Sequence, residues 1–594
     1  MKKIIYLSLI VIVSLVILAL IYHYFFKYHF SVTRNGTHPA ELVVVHANIF
    51  TAGSTQSEAE AIAVTDGRFV YVGENSGIGD FIGPKTKVIN AKGNMMVPGL
   101  IDNHCHVMWM SAMQGIMLNA YHVSTLDELT SEIRQYAETY PNDPFVIAIG
   151  WNYDHVHGNI PDTALADQIL EERPLFLWSY DGHSGWVNSK ALNIMQERNP
   201  EAFEELTPER DQKTGEPTGI LLHFYAFNPF DYFPLETLDT NITDRLLNAQ
   251  EEVLREALSY GITTLNDVQI YRSFMPMIEL FKERDISKEI RLRGSYYISH
   301  YAKDRDDETL NEELEEWITT GKELSDENLF LGNSVKLYVD GVFASHTAFM
   351  LDPYSNRTDY YGEALWTQND LNRAVAVADR LGLQACIHGI GDAGIRRIVN
   401  AVEYARNMNG KRDSRHRIEH CQLPIPDDQK RMADLGIYAA MQPCHFYSDS
   451  ATAAALGDDR IEWHMPWKSL EQAGVTLSFG SDWVAGPLNP VYGLVIAGTR
   501  YNYTGTNDWG PEEKITLDDA LRHYTIDCAK TLMLEDRIGS IEVGKYADFA
   551  IYDIDLTKVA RWWFLLTHET DIGTLDDFVE MTSVGGTIVY EKGM

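Results

Sequence analysis

Cysteine is scarce in this chain of 594 residues, which contains five. The number is odd, the cysteines are widely spaced and no two of them form a C-x-x-C pair; they are Cys105, Cys386, Cys421, Cys444 and Cys528. Such a set does not predict a disulfide framework. We expect each cysteine to be a small buried hydrophobic side chain.

Positive charge is also scarce, because 49 lysines and arginines stand against 85 aspartates and glutamates. The formal net charge of −36 argues against a nucleic-acid partner, since phosphate binding requires a basic face. It equally disfavours adhesion to anionic lipid. An acidic surplus of this kind is typical of a solvated surface that keeps a protein soluble. The length allows two or three hydrophobic cores rather than one.

A long apolar run occurs at the N-terminus. Residues 4–22 carry no charge, follow Lys2 and Lys3, and could span a bilayer at about 1.5 Å per residue. The aromatic and basic residues 22–28 have the composition of a membrane interface, and no A-x-A cleavage signal is present. We therefore expect residues 1–30 to be an uncleaved transmembrane anchor. This predicts a single-pass membrane protein with a cytoplasmic N-terminus and its large domain on the extracytoplasmic side.

Short strands and turns characterise both ends of the remaining chain. Residues 31–95 begin as a polar tether and continue as short strands, with an Asp66-Gly67 hairpin signal. Residues 536–594 again read as strand and turn. The two ends predict one small β-sandwich built from both termini.

The middle of the chain, residues 96–535, alternates strand-like and helical patterns, which indicates a parallel α/β architecture. We predict eight strands, at residues 96–102, 263–267, 291–298, 335–340, 384–388, 416–420, 438–442 and 475–482. Eight is the strand count of a (β/α)8 TIM barrel. Residues 110–255 exceed one βα step, so we expect a large insertion after the first strand that folds over the barrel mouth.

Two histidines, His104 and His106, lie near the C-terminal end of the first predicted strand, where its apolar run ends. Residues i and i+2 of a strand face the same side, so both imidazoles could reach one metal ion. Such a pair is weak evidence by itself, because nearby histidines are more often surface or core residues.

Four further polar residues lie near the ends of later strands, where barrels carry their chemistry. They are Lys336 on the fourth strand, His388 on the fifth, His420 on the sixth and Asp482 on the eighth. Each has a structural alternative: a satisfied core histidine, an ion-pair partner for the lysine, or a helix cap for the aspartate. Six coincidences on the correct strands favour one shared metal site instead.

In this order, H-x-H, Lys, His, His and Asp, the sequence resembles the amidohydrolase superfamily of metal-dependent hydrolases. More narrowly, it is similar to the branch that contains N-substituted formamide deformylases. The matching stretches are D-G-H-S-G-W-V-N-S at 181–189, G-E-P-T-G at 215–219, D-G at 340–341 with T-A at 347–348, H-G-I-G-D at 388–392, Q-P at 442–443 and G-S-D at 480–482.

The resemblance implies a binuclear centre for two divalent ions, with Zn²⁺ the best match to imidazole and carboxylate ligands. Lys336 would be carboxylated and bridge the ions, His104 and His106 would hold one ion with Asp482, and His388 and His420 would hold the other. Carboxylation requires a neutral amine, which burial of a lysine favours. Asp482 would be the general base for a metal-activated hydroxide. The implied reaction is hydrolysis of a carbon–nitrogen bond other than a peptide bond, of amide, N-formyl or cyclic amide type.

The expected partners are a small-molecule substrate, the membrane through the N-terminal helix, and no nucleic acid; the chain is also a candidate homodimer. Candidate substrate contacts lie near strand ends or in the insertion, and core packing is an equal alternative for each. They are His183, Gln442, His445 and Trp483, together with Trp109, Trp151 and Tyr153.

Two rival functions remain open. The first is a mononuclear deaminase of the same superfamily, which usually carries a glutamate soon after the fifth-strand histidine; here His388 precedes Gly-Ile-Gly-Asp, and a lysine occupies the bridging position. The second is a catalytically inactive, membrane-tethered binding protein. It predicts lost ligands, whereas every expected ligand position is filled.

Overall fold

Eight parallel strands form the central sheet of the protein. The structure is a computed structural model, and it describes residues 37–54, 56–151, 161–179, 184–222, 227–300, 306–446, 450–501, 509–559 and 577–593. Each strand is hydrogen bonded to the next in chain order. They are β1 (Leu100–Cys105), β2 (Ile262–Ile270), β3 (Arg291–Tyr297), β4 (Ser334–Tyr338), β5 (Gln384–Gly389), β6 (Arg417–His420), β7 (Tyr438–Met441) and β8 (Leu477–Phe479). A short strand, Leu329–Phe330, pairs with β3.

The sheet closes almost completely where β8 meets β1. Just beyond β8, the Asp482 N–H donates to the His104 carbonyl at 2.7 Å, and the His106 N–H donates to the Trp483 carbonyl at 2.9 Å. The buried Asp102 carboxylate also accepts the backbone N–H groups of Ser481 at 2.9 Å and of His104 at 3.2 Å. The predicted (β/α)8 barrel is therefore confirmed.

Helices cover the barrel, which explains why its strands are buried on both faces and rich in apolar residues. The helix Gln368–Arg380 illustrates the pattern: the Thr367 hydroxyl caps it by accepting the Asp370 N–H, and Leu371, Ala374 and Ala378 form its buried face. The α-helices are Val107–Gln114, Leu126–Thr139, Thr163–Ile169, Ser189–Arg198, Pro200–Glu205, Thr240–Ser259, Met275–Lys282, Asp307–Leu324, Gln368–Arg380, Asp392–Asn409, Pro426–Leu435, Ser450–Leu456, Asp458–Ile461, Trp467–Ala473, Pro490–Thr499, Leu517–His523 and Ile526–Thr531.

The first barrel strand begins later than the predicted residue 96. Met95–Pro98 is a separate strand of another sheet, and β1 begins at Leu100. Between them, a Cβ on Gly99 would lie 2.1 Å from the Thr263 hydroxyl oxygen, so a glycine is needed where the chain passes β2. The apolar run is continuous across both strands, and its hydrophobic pattern therefore does not reveal the break.

Strands from both ends of the chain share one six-stranded sheet, with the order Thr587–Glu591, Val579–Val584, Phe549–Tyr552, Met95–Pro98, Asn48–Phe50 and Glu58–Ala59. A four-stranded sheet lies beside it, with the order Arg68–Gly73, Ala61–Thr65, Leu42–Val45 and Lys87–Asn90. Val44 and Ile62 of the second sheet share a buried cluster with Phe549 and Ile551 of the first. The domain limits 31–95, 96–535 and 536–594 stay predictions.

The region predicted as an insertion, residues 110–255, contains a six-stranded sheet of its own. Its strands follow the order Pro208–Arg210, Pro217–Leu221, Gly185–Val187, Leu175–Ser179, Val146–Trp151 and Met117–Asn119. From this sheet, the Trp178 ring contacts the Trp109 ring at 6.0 Å, and Trp109 lies 6.2 Å from Tyr271, which follows β2. The inserted sheet therefore reaches the carboxyl ends of β1 and β2.

The prediction of a single-pass membrane protein is corrected. Within the part of the chain that the structure describes, none of the helices has the length and apolar character needed to cross a bilayer. The apolar residues 4–22, on which that prediction was based, lie outside the described residues.

The buried histidine His523, which packs against Phe479 of β8, makes the stability of the fold depend on pH. His523 lies between two carboxylates, with Nδ1 3.0 Å from Asp527 Oδ2 and Nε2 2.9 Å from Glu471 Oε1. Burial alone would lower the pKa of His523, but these carboxylates raise it above its ordinary value of 6.5. The charged imidazole therefore stabilises the folded state at low pH, and the stabilisation is lost as pH rises through the raised pKa.

We expect His523→Gln to lower the free energy of unfolding by about 1.5–3 kcal/mol at a pH near 6, because hydrogen bonds to a charged group are lost. The difference from the wild type should shrink as the pH is raised towards about 9, following the sign of the linkage. Urea unfolding at several pH values measures this difference in the free energy of unfolding. His122→Gln is the control, because His122 also pairs with a carboxylate, that of Glu132, but is 65% exposed. A difference that stays constant with pH would contradict this account.

Candidate metal centre

The two histidines of the H-x-H pair lie where β1 ends. His104 is in the strand, and His106 directly precedes the helix Val107–Gln114. Their ring centroids are 5.6 Å apart. The Nε2 atoms of His104 and His106 lie 3.3 and 3.1 Å from the same Asp482 oxygen, Oδ1. The two imidazoles and this carboxylate therefore meet at one point.

Asp482 occupies the middle of the site, three residues beyond the end of β8. Its second oxygen, Oδ2, lies 3.5 Å from His445 Nε2 and 3.9 Å from His420 Nδ1. The backbone of Asp482 is left-handed, with φ of 56°, and that of His420 is too, with φ of 70°. Non-glycine residues rarely adopt this conformation, and when they do it is often at functional sites. It turns both side chains inward, at the last residue of β6 for His420 and three residues beyond β8 for Asp482.

His388 and His420 extend the cluster along β5 and β6. Their ring centroids are 4.5 Å apart, and that of His420 is 4.7 Å from that of His104. His388 Nε2 lies 3.2 Å from the Gly341 carbonyl, and His420 Nδ1 lies 2.7 Å from Gln442 Oε1. In each ring, one nitrogen has a protein acceptor, which leaves the other available to a ligand.

Lys336 lies inside the barrel on β4 and is fully buried. Its Nζ is 4.6 Å from the centroid of the Tyr338 ring and has no hydrogen-bond partner among the described residues. Burial lowers the pKa of Lys336. An unpaired buried amine is costly. The Lys336 amine is therefore a suitable place for a further group that would satisfy its nitrogen.

The protonation states of the cluster suit a cation. Burial, together with the charge of Lys336, lowers the pKa of His388 to about 3, and burial also lowers the pKa values of His420 and His445. Burial would raise the pKa of Asp482, but the neighbouring imidazoles, His104 first, hold it well below its usual range. These shifts favour neutral His388, His420 and His445 beside an ionised Asp482, the forms in which such side chains bind metals.

Two groups of three potential ligand atoms, each within 4.8 Å of one another, share Asp482: one adds His104 and His106, the other His420 and His445. Imidazole and carboxylate donors fit a divalent ion such as Zn²⁺. His388 lies next to the second group through its ring contact with His420. His445, expected to contact substrate, is thus beside the cluster itself.

The other candidate substrate residues have different surroundings. Gln442 is fully buried, and its side chain bonds to His420 and to the Ala440 carbonyl, so it orients a candidate ligand. Trp483 is half-buried and accepts the His106 N–H through its backbone. The Trp151 ring packs on Trp186 inside the inserted sheet. His183 and Tyr153 lie outside the described residues.

Several residues that shape the site were not identified from the sequence. Glu419 bonds to His104 Nδ1. Asp340 accepts the N–H groups of Phe349, Ile390 and Gly391, its Oδ1 lies 3.6 Å from His388 Nε2, and burial raises its pKa to about 7. The signal for Glu419 was available, since a charged residue inside an otherwise buried strand requires a partner.

An aromatic wall lies along the β2–β4 side of the cluster. Tyr271, Tyr297 and Tyr338 follow or end these three strands, with successive ring centroids 5.5 and 5.8 Å apart. Tyr338 continues the row to His388 at 5.0 Å. The candidate centre therefore has a predominantly aromatic side towards β2–β4 and a polar side at β7 and β8.

The fold and the donor set define a (β/α)8 barrel with a candidate metal centre at the carboxyl ends of its strands, the position where barrel enzymes carry their active sites. The model of the Amidohydrolase family matches residues 87–590. The chain belongs to this family, and the resemblance predicted from its motifs is confirmed.

Individual relatives agree with this assignment. Protein LONG AFTER FAR-RED 3 of Arabidopsis thaliana is 30% identical over 531 residues, which cover 86% of this chain and 87% of the relative. The N-substituted formamide deformylase of Arthrobacter pascens is 26% identical, covering 94% and 99% of the two chains. A metal-dependent hydrolase structure from Pyrococcus horikoshii OT3, 20% identical, has a TM-score of 0.68 and covers 87% of this chain and 98% of its own. This last similarity supports the fold.

Proposed function

We propose that the protein is a metal-dependent hydrolase that cleaves a carbon–nitrogen bond other than a peptide bond in a small molecule of amide, N-formyl or cyclic amide type. The observation that carries the proposal is the position of Asp482, whose two oxygens lie 3.1–3.9 Å from nitrogens of four imidazoles. The name of the Arthrobacter relative, an N-substituted formamide deformylase, supports the type of bond.

The chain offers donors for two ions. His104, His106 and Asp482 would hold one ion, and His388 and His420 the other. Lys336, carboxylated on Nζ, would bridge them; this role is supported by its buried amine, which has no hydrogen-bond partner among the described residues. When bound, divalent ions of the zinc type would supply a water activated near neutral pH and would polarise the substrate carbonyl.

Asp482 would transfer the proton in this reaction. A water oxygen adds to the carbonyl carbon while an oxygen of the ionised Asp482 accepts the proton of that water. The carbon–nitrogen bond then breaks, and Asp482 returns the proton to the leaving nitrogen. The products are a carboxylic acid and an amine, or one ring-opened molecule from a cyclic amide. The position of Asp482 between the imidazoles, which hold its pKa below the usual range, supports its role as the ionised carboxylate that accepts this proton.

The proposal is tested with purified protein and a panel of N-substituted formamides, acyl amides, cyclic amides and aminopurines. We expect a carboxylic acid to appear together with an amine, activity to disappear on chelation, and Zn²⁺ with bicarbonate to restore it. Ammonia released without carboxylic acid would instead indicate a deaminase. Two bound ions without turnover on any compound would favour an inactive binding protein.

A further inference from the structure

Glu419 is fully buried on β6, one residue before the candidate ligand His420. Strand residues alternate between two faces, so Glu419 shares the inward face with Arg417. The left-handed backbone at His420 interrupts this alternation. Both Glu419 and His420 can therefore point towards His104.

One oxygen of Glu419 bonds to His104. The Nδ1 atom of His104 is the donor and Oε2 of Glu419 the acceptor, because an ionised carboxylate offers no proton. A proton on Nδ1 satisfies this bond, which leaves Nε2 as the nitrogen that can offer a lone pair to a cation. That Nε2 is buried without a hydrogen-bond partner among the described residues and lies 3.3 Å from Asp482 Oδ1.

The other oxygen of Glu419 is held by the buried Arg417. Arg417 Nε contacts Oε1, and the same guanidinium donates to the Asn103 side-chain oxygen at 2.8 Å and to the Asn103 carbonyl at 3.1 Å. Arg417 and Asn103 are fully buried. The Arg417 guanidinium, which is always charged, therefore holds the carboxylate in one orientation, and Asn103 in turn positions Arg417.

We propose that Glu419 is a positioning residue that fixes the tautomer and the orientation of His104, so that its Nε2 is presented to a divalent ion. The inference rests on the proposed function. A carboxylate behind a metal-binding histidine raises the basicity of the ligand and holds its ring, and its removal typically weakens metal binding by about 10–100-fold. Arg417 extends this support by fixing the carboxylate in turn.

The test is Zn²⁺ affinity, measured by titrating chelator-treated protein against a competing chromophoric chelator. We expect Glu419→Gln to bind Zn²⁺ about 10–100-fold more weakly than the wild type, and high Zn²⁺ to restore most of its turnover with an unchanged KM. Glu513→Gln is the matched control, because Glu513 is also buried but bonds to Ser469 away from the centre. Its affinity should equal that of the wild type.

A double-mutant cycle separates positioning from general destabilisation. In the His104→Ala background, Glu419→Gln should weaken Zn²⁺ binding no further, because the histidine through which it acts is absent. If Glu419→Gln does not fold, ¹⁵N NMR of wild-type apo-protein labelled in histidine gives the answer, with His104→Ala providing the assignment. We expect the Nδ1-protonated form of His104, and the Nε2-protonated form would overturn the proposal.

The two proposals fail in different ways. Wild-type protein that binds no metal or hydrolyses nothing contradicts the proposed function. Wild-type protein that binds Zn²⁺ and turns over substrate, with a folded Glu419→Gln variant of equal affinity, overturns the role of Glu419 alone.

Discussion

An Asp482→Asn variant should lose about 10²–10⁴-fold in turnover of any compound that the wild type hydrolyses, the range expected when a general base is removed. Asparagine preserves the size of the side chain and one oxygen, but it cannot accept a proton from water. Asp482 is also the carboxylate shared by both groups of potential ligand atoms. The substitution therefore affects proton transfer and metal binding together.

Metal content distinguishes these two contributions. Turnover and bound Zn²⁺ should be measured on the same preparation, and again at saturating Zn²⁺. Because proton transfer is lost, we expect most of the defect to persist when the metal is restored. Asp459→Asn is a suitable control, since Asp459 is exposed on the helix Asp458–Ile461. An Asp482→Asn variant with more than about a tenth of wild-type turnover would be inconsistent with a general base worth 10²-fold or more.

Replacing Lys336 should have a comparably large effect through a different step. Alanine removes the amine that the proposal requires to be carboxylated, and we expect turnover to fall by at least about 100-fold with loss of one of the two ions. A small carboxylic acid could occupy the space that the lysine vacates. Acetate or propionate should therefore restore part of the activity of Lys336→Ala.

Lys336→Met provides the matched comparison. Methionine fills the volume of the lysine chain without a nitrogen, so this variant should be equally inactive and should not respond to acetate. Since Nζ has no hydrogen-bond partner among the described residues, metal-free Lys336→Met should be at least as stable as metal-free wild type in thermal unfolding. A Lys336→Met variant that retained two ions and full turnover would exclude the bridging role.

The candidate site could be predicted from the sequence to the extent that its residues lie at strand ends. His104, Lys336, His388 and His420 were predicted on the first, fourth, fifth and sixth strands, and the structure places each on the corresponding strand. Strand order in a (β/α)8 barrel follows chain order, so residues far apart in sequence meet at one rim. The pattern of apolar runs was therefore sufficient to predict which strand carries each of these four residues.

The residues that support these side chains could not be predicted in the same way. Glu419 and Gln442 bond to histidines 315 and 22 positions away, through side-chain rotamers that no local pattern specifies.

The first barrel strand begins four residues later than its hydrophobic run, because one apolar segment serves two sheets. None of the described helices could span a membrane, and residues 4–22, from which an anchor was predicted, lie outside the described residues.

The sequence by itself was sufficient to predict the number and order of the barrel strands and six candidate side chains near their carboxyl ends, because hydrophobic periodicity and residue chemistry are local properties. Only the tertiary structure decided that Asp482 lies among four imidazoles, that the Lys336 amine has no hydrogen-bond partner among the described residues, and that Glu419 and Gln442 each hold one ring. These features depend on barrel closure and on the left-handed turns at His420 and Asp482. Both arise from long-range packing, which a chain pattern does not encode position by position.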